Sequence, residues 1–200
     1  MTYNTYPHLD VLWLDDEKFI TSVSQHILEE EFDHHVCMVN NVPDFIDYLF
    51  DKDPFAENLI NDTYDVIIMD IMMLVDNFDN KHIKFSHRDY CLMDDGMNTG
   101  IVLAKKLWSY SPVNENKTNE NKMIELDSSS LFSKKYNKIN NIPILFYSAR
   151  NTTSVERSLR ETYPEIKCDD FIYDVARKPL FAREIHDRLI QLFERWKSRC

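Results

Sequence analysis

Five polar side chains each stand just after a short apolar run, and their types can carry out chemistry together. They are Asp15, Asp16, Asp70, Ser148 and Lys178. Crowded carboxylates persist as anions only beside a cation, and carboxylate oxygens are the ligands that Mg²⁺ prefers. With a metal bound, Asp70 is suited to attack phosphorus as a nucleophile, while Lys178 and the Ser148 hydroxyl hold phosphoryl oxygens. The residues therefore predict phosphoryl transfer to an aspartate with a Mg²⁺ cofactor.

Apolar runs and helical periods alternate along the chain and supply the elements that must position these groups. The runs that predict strands are 8–14, 36–39, 64–70, 142–147 and 171–176. Apolar residues at helical spacing predict helices over 18–32, from 42, from 100, over 154–163 and over 182–199. This alternation implies an α/β fold with helices on both faces of a five-stranded parallel sheet. Functional sites in such a sheet lie at the carboxyl ends of the strands. The five polar side chains are predicted to stand at these ends.

Composition argues against several classes of protein. The 34 acidic and 23 basic residues give a formal net charge of −11, which opposes direct binding to nucleic acid. Two glycines are too few for the glycine-rich loops that cradle nucleotides. The four cysteines are isolated, without metal-ligand spacing, and no apolar run approaches the length of about 20 residues that spans a membrane. We therefore expect a cytoplasmic protein with reduced thiols and no membrane insertion.

The same side chains, taken in order, resemble the receiver domains of two-component response regulators. Asp15 and Asp16 match the acidic pair, Asp70 the phospho-acceptor, Ser148 the hydroxyl switch, and Lys178 with the following proline the Lys-Pro pair. The resemblance implies a flavodoxin-like, doubly wound sheet with strand order 2-1-3-4-5. It also implies a cis peptide bond between Lys178 and its proline.

Ligands and partners follow from the resemblance as well. It implies that Asp16 and Asp70 ligate Mg²⁺, that Asp15 assists through water, and that the Met72 backbone carbonyl completes the protein ligands. Signalling would proceed by phosphorelay from a histidine kinase or phosphotransfer protein to an unknown downstream protein. The aromatic residue that commonly stands three positions before the lysine is replaced by Val175, and Tyr173 is the nearest aromatic on that strand.

The spacing also predicts extra chain within a single domain over 1–200. A βαβ unit takes about 30 residues or slightly more, whereas 148 − 70 = 78 positions separate Asp70 from Ser148. We divide the excess between a long loop at about 75–97 and an Asn-rich insertion at about 111–141. Because few residues follow the last predicted helix, we expect a stand-alone receiver that signals by protein contact.

Two other functions stay open at this stage. One is a receiver-like adaptor that does not cycle and whose insertions bind a partner. The other is an aspartyl-nucleophile phosphatase, in which a general acid follows the nucleophile by two residues; that position is Met72, which cannot donate a proton. We therefore expect a phospho-acceptor with at most slow self-dephosphorylation rather than an enzyme.

Overall fold

The computed structural model describes residues 7–50, 64–74, 80, 82–109, 139 and 141–199. Strands and helices alternate along this part of the chain. In chain order they are β1 (Asp10–Leu14), α1 (Lys18–Glu30), β2 (His35–Val39), α2 (Val42–Phe50), β3 (Val66–Met69), α3 (His87–Met93), α4 (Thr99–Ser109), β4 (Ile144–Ser148), α5 (Thr152–Glu161), β5 (Tyr173–Arg177) and α6 (Ala182–Lys197). A short 3₁₀ helix, Cys168–Asp170, precedes β5.

The five strands form one parallel sheet in the order β2-β1-β3-β4-β5. This confirms the predicted fold class and strand order. Strands β1, β3 and β4 are buried along their whole length, as the continuous apolar runs indicated. Parallel strands covered on both faces carry few polar positions, so polar side chains concentrate where the strands end.

Alternate residues of each strand enter one of two hydrophobic layers. On one face, Val11, Trp13 and Ile68 pack with residues of α1 and α6, including Leu28 and Leu189. Residues of α2, α4 and α5 cover the other face, where they pack against Leu12, Leu14, Ile67 and Phe146. The helices therefore lie on both faces of the sheet, and neither face of the central strands contacts solvent.

The loop predicted at about 75–97 contains a helix that the apolar pattern did not reveal. Helix α3 is seven residues long, and its signal is polar: Ser86 and Asp89 form a reciprocal capping box at its start. Asp89 is buried, and Lys106 of α4 lies 2.8 Å from its carboxylate. The helix is thus held by a cap and an ion pair as well as by buried Met93. Almost all of the insertion predicted at about 111–141 lies outside the described residues.

The two glycines of the chain both lie against the loop that follows β3. A Cβ atom on Gly100 would come within 2.0 Å of the Asp70 carbonyl oxygen, and one on Gly96 within 2.5 Å of the Met73 carbonyl oxygen. Gly96 also has a φ of 98°, which side chains disfavour. Main-chain hydrogen bonds close the contact, since Gly100 N–H donates to Ile71 at 3.1 Å and Met73 N–H donates to Gly96 at 3.1 Å. The start of α4 is therefore fastened to the Asp70 loop.

None of the helices in the described part of the chain is long and apolar enough to cross a membrane.

Replacement of Gly100 with alanine tests this close approach. The added methyl group has only backbone in front of it, so α4 must move away from the loop, at a cost of about 1–3 kcal/mol in the free energy of unfolding. Urea unfolding of Gly100→Ala measures this cost. Ser109→Ala, at an exposed position of the same helix, serves as the control for helix propensity. Equal stability of Gly100→Ala and wild type would contradict the predicted clash.

Candidate functional site

Three charged side chains are carried to one edge of the sheet by the ends of its strands. Main-chain hydrogen bonds extend the ladders by one residue: Asp15 N–H donates to Val39, Asp70 N–H to Leu14, and Lys178 N–H to Ser148, at 3.1, 2.9 and 2.8 Å. The chain leaves each strand only after these residues. Asp15, Asp70 and Lys178 therefore occupy fixed backbone positions at the carboxyl edge, where the sequence placed them.

Lys178 lies between the carboxylates. Its Nζ is 2.7 Å from Asp70 Oδ2, 2.8 Å from Asp15 Oδ2 and 3.2 Å from Glu17 Oε2. The Lys178 side chain is 8% exposed and that of Asp15 is fully buried, whereas that of Glu17 is half exposed. The structure thus brings together three of the predicted site residues in direct contact and adds Glu17. The peptide bond between Lys178 and Pro179 is cis, which confirms the expectation from the resemblance.

The protonation of the ion pair reflects both burial and charge. Burial raises the pKa of Asp70 from 3.8 to about 6, although Lys178 opposes this shift. Burial lowers the pKa of Lys178, but the charges and hydrogen bonds of Asp70 and Asp15 outweigh it and raise that pKa above its usual value. The lysine is therefore a permanent cation at neutral pH, and Asp70 beside it is mostly ionised there.

Each oxygen of Asp70 has its own surroundings. Oδ1 accepts hydrogen bonds from the backbone N–H groups of Ile71 at 2.6 Å and Met72 at 3.2 Å. Oδ2 accepts from Lys178. Asp15 is arranged in the same way, since its Oδ1 accepts from Glu17 N–H at 3.0 Å while its Oδ2 faces the lysine. The two carboxylates are consequently held in fixed orientations by main chain on one side and an ammonium on the other.

The donor set suits a divalent cation. Asp15, Glu17 and Asp70 each offer a carboxylate oxygen, and these oxygens lie within 4.8 Å of one another. Three carboxylates beside one ammonium leave two negative charges uncompensated, which matches the charge of Mg²⁺. Hard oxygen ligands with room for water are also what this ion prefers. The residues present therefore fit the metal that the sequence predicted.

The remaining predicted site residues lie near this cluster without joining it. Asp16 is exposed, and its Oδ2 accepts a 3.5 Å hydrogen bond from Leu74 N–H. Met72 follows Asp70 in the loop and donates its N–H to that carboxylate. Ser148 ends β4 fully buried, and its hydroxyl accepts from Arg150 N–H at 3.4 Å. The roles of Asp16 and Met72 as metal ligands, and of Ser148 as a phosphoryl ligand, stay predictions.

Sequence reasoning did not assign three residues that the structure places around the cluster. Glu17 directly follows Asp15 and Asp16 in the sequence, so its signal was present. Tyr147 is buried, with its ring centre 5.4 Å from Lys178 Nζ and its hydroxyl accepting from Leu180 N–H at 3.1 Å. Its ring therefore lies beside the lysine, whereas Val175 of β5 carries no aromatic ring. The position of Tyr147 one residue before Ser148 was its only sequence signal.

Arg150 connects the two loops beside the site. Its Nη1 donates to Met97 O at 3.0 Å and to Asn98 Oδ1 at 2.7 Å. Its Nη2 donates to the hydroxyls of Ser154 and Ser158 on α5, both at 2.8 Å. One guanidinium therefore joins the segment before α4 to the first turns of α5. A single arginine after a strand carries no pattern that predicts such a role.

Comparison with known proteins rests on the structure. No family model matches the sequence, and a search of curated proteins finds no match. Among solved structures, a protein from Chloroflexus aurantiacus described as a response regulator is 14% identical, with a TM-score of 0.50, and the match covers 94% of this chain and 99% of that one. The chain has the receiver fold.

Other structures with the receiver fold match over a similar length. The receiver domain of a Francisella response regulator is 18% identical, with a TM-score of 0.48, and the match covers 94% of this chain and 98% of that domain. The receiver domain of a sensor histidine kinase from Pseudomonas aeruginosa is 14% identical, with a TM-score of 0.47 and coverage of 94% and 99%. The structure of that domain has a magnesium ion coordinated in the active-site cleft.

Replacement of Asp70 with asparagine should stabilise the metal-free protein at neutral pH. Because the pKa of Asp70 is raised to about 6 in the folded state, the folded wild type loses stability as the pH rises from about 4 to 6. Asparagine does not titrate, so the stability of Asp70→Asn relative to wild type should increase over this range. The difference should reach about 1–3 kcal/mol at pH 7.5.

Urea unfolding in EDTA between pH 4 and 8 measures this difference. Asp95→Asn, which changes an exposed carboxylate, controls for the loss of one negative charge. A stability difference that does not vary with pH, or an Asp70→Asn protein less stable than wild type at pH 7.5, would contradict the assignment of the buried, destabilised carboxylate to Asp70.

Proposed function

We propose that the protein is a phospho-acceptor: Asp70 receives a phosphoryl group from a histidine kinase or phosphotransfer protein, and the phosphorylated protein signals through protein contacts. One observation carries this proposal. The Lys178 ammonium is held against the Asp70 and Asp15 carboxylates at 2.7 and 2.8 Å, in a buried position at the carboxyl edge of the sheet. A nucleophile, a permanent cation and a cluster of oxygen ligands are what transfer of a phosphoryl group to a carboxylate requires.

The residues have distinct parts in the transfer. A carboxylate oxygen of Asp70 forms the new bond to phosphorus while the bond to the donor nitrogen breaks, and the donor imidazole leaves. In the proposal, the Lys178 ammonium holds one phosphoryl oxygen, because it already contacts the attacking carboxylate. Backbone N–H groups of Ile71 and Met72 keep that carboxylate in place. In the proposal, the Ser148 hydroxyl holds a second phosphoryl oxygen after it leaves Arg150 N–H.

Mg²⁺ is the proposed cofactor, and Asp15, Glu17 and Asp70 are the residues whose oxygens are close enough to hold it. Asp16 and the Met72 carbonyl are further proposed ligands, by resemblance. When bound, the ion supplies positive charge that offsets the crowded carboxylates and the incoming phosphoryl group. Glu17 extends the acidic set beyond the ligands assigned from the sequence.

Incubation with acetyl phosphate and Mg²⁺ tests the proposal directly. Wild type should gain one phosphoryl adduct by intact mass, because the small donor bypasses the kinase. Asp70→Asn should gain none, whereas the exposed-site control Asp95→Asn should react like wild type. Omission of Mg²⁺ should abolish the adduct.

Three results would contradict this function. An adduct retained in Asp70→Asn would place the phosphoryl group on another residue. No adduct in wild type, with no Mg²⁺-dependent change in tryptophan fluorescence, would favour the adaptor that does not cycle. Steady hydrolysis of ordinary phosphomonoesters would instead indicate a phosphatase.

An exposed apolar surface beside the site supports a protein as the phosphoryl donor. Phe19 is 92% exposed and Val23 63% exposed, one helical turn apart on α1. Phe181 is 82% exposed and follows Lys178 by three residues. A groove between α1 and α6, lined in part by Ile27 and Phe181, continues this surface. A donor that presents a phosphohistidine to Asp70 would cover these side chains.

Replacement of Phe19 with serine separates docking from chemistry. The side chain is solvent-exposed, so the variant should fold and react with acetyl phosphate at the wild-type rate. Transfer from purified, phosphorylated phosphotransfer domains that label wild type should fall by about tenfold, which corresponds to about 1.4 kcal/mol of lost contact. Unchanged transfer from every such domain would show that the donor does not use this surface.

A further inference from the structure

Lys105 is a buried lysine within α4. The whole side chain is buried. Its Nζ donates to the Ile166 carbonyl oxygen at 2.5 Å and to Cys168 Sγ at 2.9 Å. The sulfur in turn donates to the Leu159 carbonyl oxygen at 3.1 Å. An amine and a thiol thus lie in direct contact beneath the surface, although 63 residues separate them in sequence.

The surroundings of this amine do not include a carboxylate. Lysine is almost never fully buried unless it is paired with an acid, yet no ion pair to Lys105 occurs among the described residues. Trp108 adds a ring face 5.7 Å from Nζ. Because a carbonyl and a sulfur are its hydrogen-bond partners, the amine points at a reactive atom, Cys168 Sγ.

Small solutes have a path to this sulfur. Cys168 is 7% exposed and lines a solvent-open cavity of about 620 Å³ between α5, β5 and the end of α6. Thr152, Glu156 and Tyr173 form other parts of its wall. The cavity is polar and wide enough for hydrogen peroxide. Cys91, by contrast, is exposed, and its sulfur lies 3.5 Å from the imidazole of His87 rather than beside an amine.

We propose that Cys168 and Lys105 form a reversible sulfur–nitrogen cross-link when the protein meets a peroxide. Peroxide first oxidises the thiol by two electrons: its O–O bond breaks, one oxygen joins Sγ to give a sulfenic acid, and water leaves. Lys105 first releases one proton to solvent, so that Nζ has a free electron pair. The neutral Nζ then bonds to Sγ as the S–O bond breaks, and the departing hydroxide takes a proton from the nitrogen to form water. Overall, thiol, ammonium and peroxide give a sulfenamide, two waters and one proton.

The cross-link would join two parts of the fold that also position the Asp70 site. Lys105 is on α4, whose first turn is fastened to the Asp70 loop through Gly100. Cys168 is in the 3₁₀ helix before β5, the strand that Lys178 follows directly. A bond between them would fix α4 against the segment that leads into β5. The proposal stands on this contact alone and does not require that Asp70 be phosphorylated.

Peptide mapping of the full chain after mild peroxide treatment tests the cross-link. The expected product is a linked pair of tryptic peptides that contains Lys105 and Cys168, about 2 Da lighter than the two reduced peptides together, because two hydrogens are lost. Trypsin should no longer cleave after Lys105 in this product. Dithiothreitol should restore both free peptides.

Matched variants show whether the amine and the thiol are both needed. Lys105→Met and Cys168→Ser should each abolish the linked peptide, and Cys91→Ser should leave its yield unchanged. In wild type, simple oxidation without cross-linking should be confined to other cysteines such as Cys91. Wild-type protein in which Cys168 gains only oxygen, or stays reduced while Cys91 oxidises, would overturn the proposal without any need for the variants to fold.

Discussion

The buried ammonium of Lys178 is the interaction on which the candidate site depends. The carboxylates of Asp15 and Asp70, at the ends of β1 and β3, have oxygens within 4.8 Å of each other and would repel one another. Both residues are also buried away from bulk water. A cation from the end of β5 offsets this repulsion, and it requires the ends of β1, β3 and β5 to meet at the same edge of the sheet. The order of strands in the sheet and the charges at its edge are therefore two aspects of one arrangement.

Much of this arrangement could be predicted from the sequence, because a buried strand appears as a continuous apolar run and its end appears as the polar residue that follows. The continuous apolar runs before Asp15 and Asp70 indicated buried parallel strands, and the fold places both acids where such strands end. Lys178 was predicted for the same reason. The edges of elements shifted by a few residues, since helix and strand ends are set by caps and backbone hydrogen bonds that an apolar pattern does not record.

What the sequence did not reveal depends on contacts between distant residues. Helix α3 has little apolar period, and its stability comes from a capping box and from the ion pair of Asp89 with a lysine on another helix. Glu17 was visible as an acid but not as a neighbour of Lys178, because its direction depends on how α1 leaves β1. Arg150 and Tyr147 gain their positions only when β4 is placed between β3 and β5.

The loop after β3 is held by main-chain hydrogen bonds to Gly96 and Gly100 and by the buried side chains of Ile71 and Met73. A backbone fastened in this way keeps its course whatever side chains stand at the positions that face outward. Met72 and Leu74, of which Leu74 is 77% exposed, are therefore free to vary over evolutionary time without disturbing the carboxylate beside them. Substitutions at these outward positions can change which molecules the entrance to the site admits. Gly96 and Gly100 are constrained instead, because any side chain there would clash with the loop backbone.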